Sequence, residues 1–267
     1  MDVMDDIARR GLLLLGCGKM GSAMLAGWLA RGVDPGMVSV IDPAPSDWLR
    51  GTRVRLGAPE APPAVAVIAV KPQMMDDALP ALDAGDTLFV SVAAGVPVAR
   101  FEAALGAGAR VVRAMPNTPA AIGRGITAIV ANAAAGADGL DAAEALLSAV
   151  GEVVRLEDED QIDAVTAVSG SGPAYAFHLI EAMTDAGVAE GLPEPLSRRL
   201  ATATVAGAGA LAMEAGEDAA ALRRNVTSPG GTTQAALEVL MDPARGFPHL
   251  VPEAVAAAAR RSRELRG

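Results

Sequence analysis

Residues Leu12-Leu13-Leu14-Leu15-Gly16-Cys17-Gly18-Lys19-Met20-Gly21 decide how this chain is built. Four consecutive leucines suit a strand buried on both faces. The apolar positions that follow, Met20, Met24, Gly27 and Trp28, recur at helical spacing, and Gly32 closes the helix. Between strand and helix stands G-x-G-x-x-G. The first glycine permits a tight turn, the second lets the backbone approach a pyrophosphate, and the third brings helix close to strand. The helix N-terminus then faces the phosphates. A chain rich in Ala and Gly produces such a motif by accident; its place between a strand and a helix makes it a dinucleotide signal.

Outward from this motif, strand-like and helix-like segments alternate. Apolar runs occur at residues 37–41, 65–70, 87–92, 110–114, 126–130 and 153–156, with helical patterns between them at 98–105 and 140–150. Alternation of this kind predicts a parallel sheet with helices on both faces, whose ligands sit beyond the carboxyl ends of the strands. The character changes at Glu157-Asp158-Glu159-Asp160, which reads as a solvated linker. Beyond it the chain is helical, punctuated at Gly191-Leu192-Pro193 and Ser228-Pro229-Gly230-Gly231. The fold class is therefore α/β followed by all-α, with domains at residues 1–157 and 158–267. Ala206, Gly207, Gly209 and Ala210 suit close helix contact. A helical half so poor in large side chains has a thin core alone and is expected to pair with a second copy.

The composition narrows the chemistry. Of 267 residues 51% are hydrophobic but only 3% aromatic, so Ala, Val, Leu and Met must fill the core. A net charge of −10 leaves no basic stripe for nucleic acid, although a local positive field can still hold a small anion. The single cysteine, Cys17, excludes an internal disulfide and fits a reducing compartment. Residues 1–6 are acidic and carry no secretory pattern. The apolar stretch 200–213 falls short of the ~20 residues that cross a bilayer. The expectation is a cytoplasmic protein. All but two of the 22 basic side chains are arginine; Lys19 and Lys71 both follow predicted strands. Two distant histidines, His178 and His249, and one cysteine give no metal constellation, and His178 is expected to pack on a helix face.

Four strand ends read as ligand-facing. After the glycine loop come Lys71-Pro72-Gln73, Ala93-Ala94-Gly95-Val96-Pro97 and Met115-Pro116-Asn117-Thr118-Pro119. Each proline fixes φ and removes a donor, so three on one sheet edge shape a pocket, whereas one merely ends a strand. Asn117 can present its amide to a carboxamide or form a local turn. Asp42, at the end of the second strand, is placed to accept a ribose 2′-hydroxyl, although it lies beyond the usual spacing of about 20 residues. It can equally start the turn at Asp42-Pro43. Ser46, Arg50 and Arg53 can accommodate a 2′-phosphate instead. In the helical half, 168–175 and 227–233 are small-polar loops that open helices. Ser171 and Ser228 can simply cap those helices. The unbroken Ser/Thr/Gly/Pro run 227–233 exceeds what a cap requires and reads as a carboxylate-sized anion site.

Together and in this order, the stretches 16–21, 70–73, 91–97, 113–119, 164–175 and 226–233 resemble the pyrroline-5-carboxylate reductase family over nearly the whole chain. The resemblance implies an N-terminal Rossmann-type domain, a C-terminal helical dimerisation domain and a homodimer, often assembled into a decamer. It implies hydride transfer from NADPH or NADH, leaning slightly to NADPH, onto the C=N bond of 1-pyrroline-5-carboxylate to give L-proline. By similarity Thr233 is the catalytic residue that hydrogen-bonds the ring nitrogen. Ser228, Gly230, Gly231 and Thr232 hold the carboxylate. Gly16, Gly18, Lys19, Met20 and Gly21 cradle the pyrophosphate, and Val70, Lys71, Pro72 and Asn117 border the nicotinamide. Residues 40–65 depart from the pattern, being short and rich in proline.

A β-hydroxyacid dehydrogenase would need a basic lysine in the helical half, and no lysine follows Lys71. A reductase of another cyclic imine remains an alternative. So does a non-catalytic dinucleotide sensor, against which the intact loops stand.

Overall fold

The computed structural model describes residues 3–79, 82 and 85–266; Met1, Asp2 and Gly267 of the stretches discussed above lie outside them. By contact the chain divides into two units, residues 1–170 with 259–267, and residues 171–258. The expected boundary after Glu157 therefore differs from the observed one: residues 158–170 and the chain end belong with the first unit.

The first unit is built on an eight-stranded sheet. Its strands are β1 (Leu12–Leu15), β2 (Val38–Ile41), β3 (Arg55–Leu56), β4 (Val65–Ile68), β5 (Leu88–Ser91), β6 (Arg110–Met115), β7 (Gly125–Ala131) and β8 (Gly151–Arg155). They lie in the order β3-β2-β1-β4-β5-β6-β7-β8. The order in which strands are added to the sheet reverses between β1 and β4, the switch point where open α/β sheets bind ligands. β1 through β6 pair in parallel, but β6 and β7 are antiparallel. The expectation of a wholly parallel sheet fails there because residues 116–124 are too few for a parallel crossover, which takes a dozen or more. α6 (Gly136–Leu147) supplies such a crossover, and β8 is again parallel to β7.

The leucine run explains the layering. Leu12 and Leu14 join one core cluster, while Leu13 and Leu15 join the other. β4 and β5 are likewise buried on both faces. On the first face α2 (Lys19–Ala30) and α6 meet, and the buried Trp28 indole donates to the Leu146 carbonyl at 3.0 Å. On the second face Phe89 packs with Met75 of α4 (Met75–Ala78) and with Phe101 of α5 (Val98–Leu105). Several short elements escaped the sequence reading. α1 (Val3–Arg10) precedes β1 and buries Ile7, and β3 is only two residues long. Between β2 and β4 the other regular element is α3 (Asp47–Gly51), as the prolines of this stretch permit little more.

The acidic run is solvated at Glu157, Asp158 and Asp160, but Glu159 is drawn into the first unit. Arg113 of β6, 1% exposed, donates to Glu159 Oε1 at 2.6 Å, and the same oxygen accepts the Val98 N–H at 2.9 Å. α7 (Gln161–Val165) follows and passes into a π-helical turn, Thr166–Gly170. Asp163 of α7 is buried, accepts the Ser262 hydroxyl at 2.6 Å and is ion-paired with Arg266.

The second unit holds α8 (Gly172–Ala189), α9 (Glu194–Glu214), α10 (Ala219–Asn225), α11 (Thr232–Leu240) and most of α12 (Phe247–Arg266). α8 and α9 close on each other where Ser197 donates to the Thr184 carbonyl at 2.7 Å. A Cβ on Gly187 would lie 2.2 Å from the Ser197 oxygen. Gly207 and Gly209 face open space instead. His178 is exposed beside Glu181, not packed on a helix face.

Candidate functional site

In the first unit the glycine loop takes the form its residues require. Gly16 has φ +90°, where side chains are rarely tolerated, and its N–H donates to the Ile41 carbonyl at 2.8 Å. Gly21 packs so closely that a Cβ would sit 2.2 Å from the Gly16 carbonyl oxygen. Gly18 is the opposite case, with no heavy atom within 4 Å of where its Cβ would point. α2 starts directly after it without a side-chain cap, so the first-turn N–H groups of Lys19, Met20 and Gly21 have no helical partner. An open glycine in front of an uncapped helix N-terminus is a cradle of the size and polarity of a pyrophosphate. Lys19 is exposed, with Met20 half-buried beneath it.

Cys17 is a buried filler of this loop. Burial first, and then the charge of Asp42, push its thiol from 9.0 up to about 11. Because the folded value is raised, folding binds this proton more tightly; the contribution is complete below pH 9 and is lost as pH rises through about 11. Iodoacetamide at pH 8 is therefore expected to leave Cys17 unlabelled in the folded protein and to label it after denaturation. Rapid labelling of the native protein would contradict this, since the thiolate is the reactive form.

The other expected strand ends do share one edge, because β4, β5 and β6 are neighbours in parallel register. Val70 is half-buried, Lys71 is exposed, and Pro72 opens a 3₁₀ turn, Pro72–Met74. The amide of Asn117 is engaged within the protein. Its Oδ1 accepts the Ile126 N–H at 3.0 Å and its Nδ2 donates to the Ser169 carbonyl at 3.3 Å. Its amide braces the start of β7 against the π turn and forms no local turn. Asp42 does two things at once: Oδ2 accepts the Cys17 N–H at 2.6 Å and Oδ1 accepts the Ala44 N–H at 2.8 Å.

In the second unit, Ser228-Pro229-Gly230-Gly231 forms a turn closed by the Gly231 N–H donating to the Ser228 carbonyl at 3.0 Å. Proline at its second position and Gly230 at φ +70° at its third are the requirements of a type II turn. Gly231, not Ser228, is the N-cap of α11, and it offers no side chain. Gln234 reaches back to accept the Gly230 N–H at 2.7 Å. Thr227 is occupied with the Arg223 carbonyl at 2.6 Å. Among the described residues the hydroxyls of Ser228, Thr232 and Thr233 bond to no other protein group, and Thr233 is half-buried. Ser171 likewise makes no capping bond at α8. A turn that delivers free hydroxyls to an open helix N-terminus can hold a carboxylate.

Comparison with known proteins decides the family. The sequence model of pyrroline-5-carboxylate reductase dimerisation matches residues 159–265, and that of the NADP oxidoreductase, coenzyme F420-dependent, matches residues 12–95. The pyrroline-5-carboxylate reductase of Pseudomonas aeruginosa is 43% identical over 264 residues, covering 95% of this chain and 96% of that one. The chain belongs to the pyrroline-5-carboxylate reductase family. The structure of the family member from Coxiella burnetii superposes with a TM-score of 0.89 at 34% identity, over 97% of this chain and 99% of that one. A Plasmodium falciparum pyrroline carboxylate reductase, solved with NADP bound, gives 0.84 at 27% identity, over 97% and 99%. The dimerisation match begins within two residues of the sequence-based boundary, whereas the contact division comes later, since α7 and the π turn pack with the sheet. Among the described residues no helix is long and apolar enough to cross a membrane, and no cluster of three metal-ligating side chains occurs.

Proposed function

We infer that the chain is a pyrroline-5-carboxylate reductase, which reduces the C=N bond of 1-pyrroline-5-carboxylate to L-proline in proline biosynthesis. Near-full-length identity to curated members of that name carries the reading. The reduced nicotinamide, when bound, would supply the hydride to the ring carbon of the C=N bond, C2 in pyrroline numbering, while the ring nitrogen keeps its proton as the iminium becomes an amine. The chain's own residues bind and orient. The glycine loop, with Gly16, Gly18, Lys19, Met20 and Gly21, takes the pyrophosphate. Val70, Lys71 and Pro72 border the nicotinamide, and Asn117 stiffens that edge. The free hydroxyls of Ser228 and Thr232 and the Thr232 amide at the head of α11 hold the substrate carboxylate, with Gly230 and Gly231 shaping the turn that presents them. Thr233 directs its hydroxyl to the ring nitrogen. A protonated imine is already electrophilic, so orientation and one hydrogen bond suffice and no histidine is needed.

Assembly follows from the same reading. The second unit exposes Phe177, Leu211, Met213, Leu250 and Val251, more large apolar surface than a lone helical unit carries comfortably. A second copy covers it to make the homodimer, and dimers assemble into a decamer in the cytoplasm.

The deciding assay follows NAD(P)H oxidation with 1-pyrroline-5-carboxylate and, in parallel, with 1-pyrroline, which lacks the carboxylate. Turnover of the acid alone supports the reading. Equal turnover of both points to a general imine reductase, and nucleotide binding without oxidation points to a sensor. Thr233→Ala is expected to lower kcat/KM by roughly 100-fold, a loss of the size seen when one directing hydrogen bond is removed, with nucleotide affinity unchanged. Unchanged kcat/KM would remove Thr233 from the mechanism.

A further inference from the structure

The adenosine end of the nucleotide site is set by the pairing of β1 with β2. Leu15 lies opposite Ile41 in parallel register, and the Gly16 N–H donates to the Ile41 carbonyl at 2.8 Å. This delivers the next residue, Asp42, onto the glycine loop. Its carboxylate is held from both sides, at 2.6 Å by the Cys17 N–H inside the loop and at 2.8 Å by the Ala44 N–H. A side chain tethered by two backbone amides cannot swing away when a nucleotide arrives. The charge it presents to the loop is also felt by the Cys17 thiol. As an acceptor-only group with lone pairs to spare, it can take a hydroxyl proton but can only repel a phosphate.

The groups that would offset that repulsion are less well placed. The Ser46 hydroxyl accepts the Leu49 N–H at 3.2 Å as the cap of α3. Arg50 and Arg53 are exposed and make no ion pair among the described residues. To serve a 2′-phosphate, their guanidinium groups must first be ordered out of solvent, with loss of rotamer freedom. Asp42 is ordered already.

We propose that Asp42 makes this chain prefer NADH to NADPH, by accepting the ribose 2′-hydroxyl and rejecting the 2′-phosphate. The proposal rests on the function inferred above and chooses between the two nucleotides which that function allows.

Calorimetric titration of the full chain with NADH and with NADPH, without substrate, tests it. The expected result is tighter NADH binding by about tenfold or more at low salt, since like charges forced together cost heavily at a binding site. Added salt should narrow the ratio. Asp42→Ser, which keeps a small acceptor for the Cys17 N–H, should abolish or reverse it. Equal or tighter NADPH binding by the unmodified chain overturns the proposal and leaves the reductase reading intact. An unchanged ratio in Asp42→Ser overturns it as well. Failure of either nucleotide to bind overturns the reductase reading along with it. Should Asp42→Ser not fold, the double variant Arg50→Ala/Arg53→Ala is titrated instead. Unchanged NADPH affinity supports the proposal, and a tenfold loss shows that the arginines, not Asp42, set the preference.

Discussion

Gly21→Ala should remove nucleotide binding and destabilise the first unit, whereas Gly18→Ala should remove binding and leave stability alone. The added Cβ of Gly21→Ala falls 2.2 Å from the Gly16 carbonyl oxygen and 3.1 Å from its carbon. Both are backbone atoms of the turn between β1 and α2, so relief requires the helix to back away from the strand. Overpacking of this kind costs about 1–3 kcal/mol even where side chains can yield, and here none is involved. A helix N-terminus displaced from its anion should bind NAD(P)H about 100-fold less tightly, or about 2.7 kcal/mol. At Gly18 the added methyl meets nothing within 4 Å, so the fold should not notice it. It would occupy the open space that the pyrophosphate needs. Titration calorimetry and thermal melting read the two effects separately. Normal nucleotide affinity in Gly18→Ala would show that the pyrophosphate lies elsewhere.

The second large effect concerns the buried pair of Arg113 and Glu159. Glu159→Ala strands a guanidinium that is 1% exposed, and it also removes the acceptor of the Val98 N–H at the start of α5. Removing one partner of a buried pair costs about 3–5 kcal/mol. Glu159 keeps some solvent contact, so about 3 kcal/mol is expected, or roughly 6–12 °C in Tm for a chain of this size. Arg113→Met deletes the charge that needs burying and fills similar volume, so it should cost less. In the Arg113→Met background, Glu159→Ala should then cost only about 1 kcal/mol, the value of a lost capping bond. Additive losses across this double-mutant cycle would show that the two residues act independently.

How far the site was legible in the sequence varies residue by residue. Gly16, Gly18 and Gly21 were readable because each answers a local demand of a strand–turn–helix, and so was the turn at Ser228–Gly231, whose Pro and Gly stand where a type II turn requires them. The alternative that Ser228 merely caps a helix fails because the turn places Gly231, three residues later, at the head of α11. The bracing role of Asn117 was not legible because its partners, Ile126 and Ser169, are brought to it by the reversal of β7 and by the π turn. The acidic run misled for the same reason. Charged residues in a row look solvated until Arg113, 46 residues earlier in the chain, turns out to face one of them from inside the sheet. The end of α12 belongs here too: Ser262 and Arg266 reach Asp163, and Leu265 lies against Gly95, whose added Cβ would stand 3.2 Å from the Leu265 carbonyl oxygen. Nothing near residue 262 in the sequence announces a partner almost a hundred positions away.

The sequence by itself determined the alternation of strands and helices, the glycine loop, the polar turn before α11 and the family. All of these depend on side-chain periodicity, on turn chemistry or on residues a few positions apart. Only the tertiary structure decided that β7 runs backwards, that the first unit reclaims residues 158–170 and the chain end, and that Asp42 is clamped to the glycine loop. Each of these depends on which distant backbone amide or buried charge a residue meets, and that is settled by strand pairing and burial rather than by any local pattern.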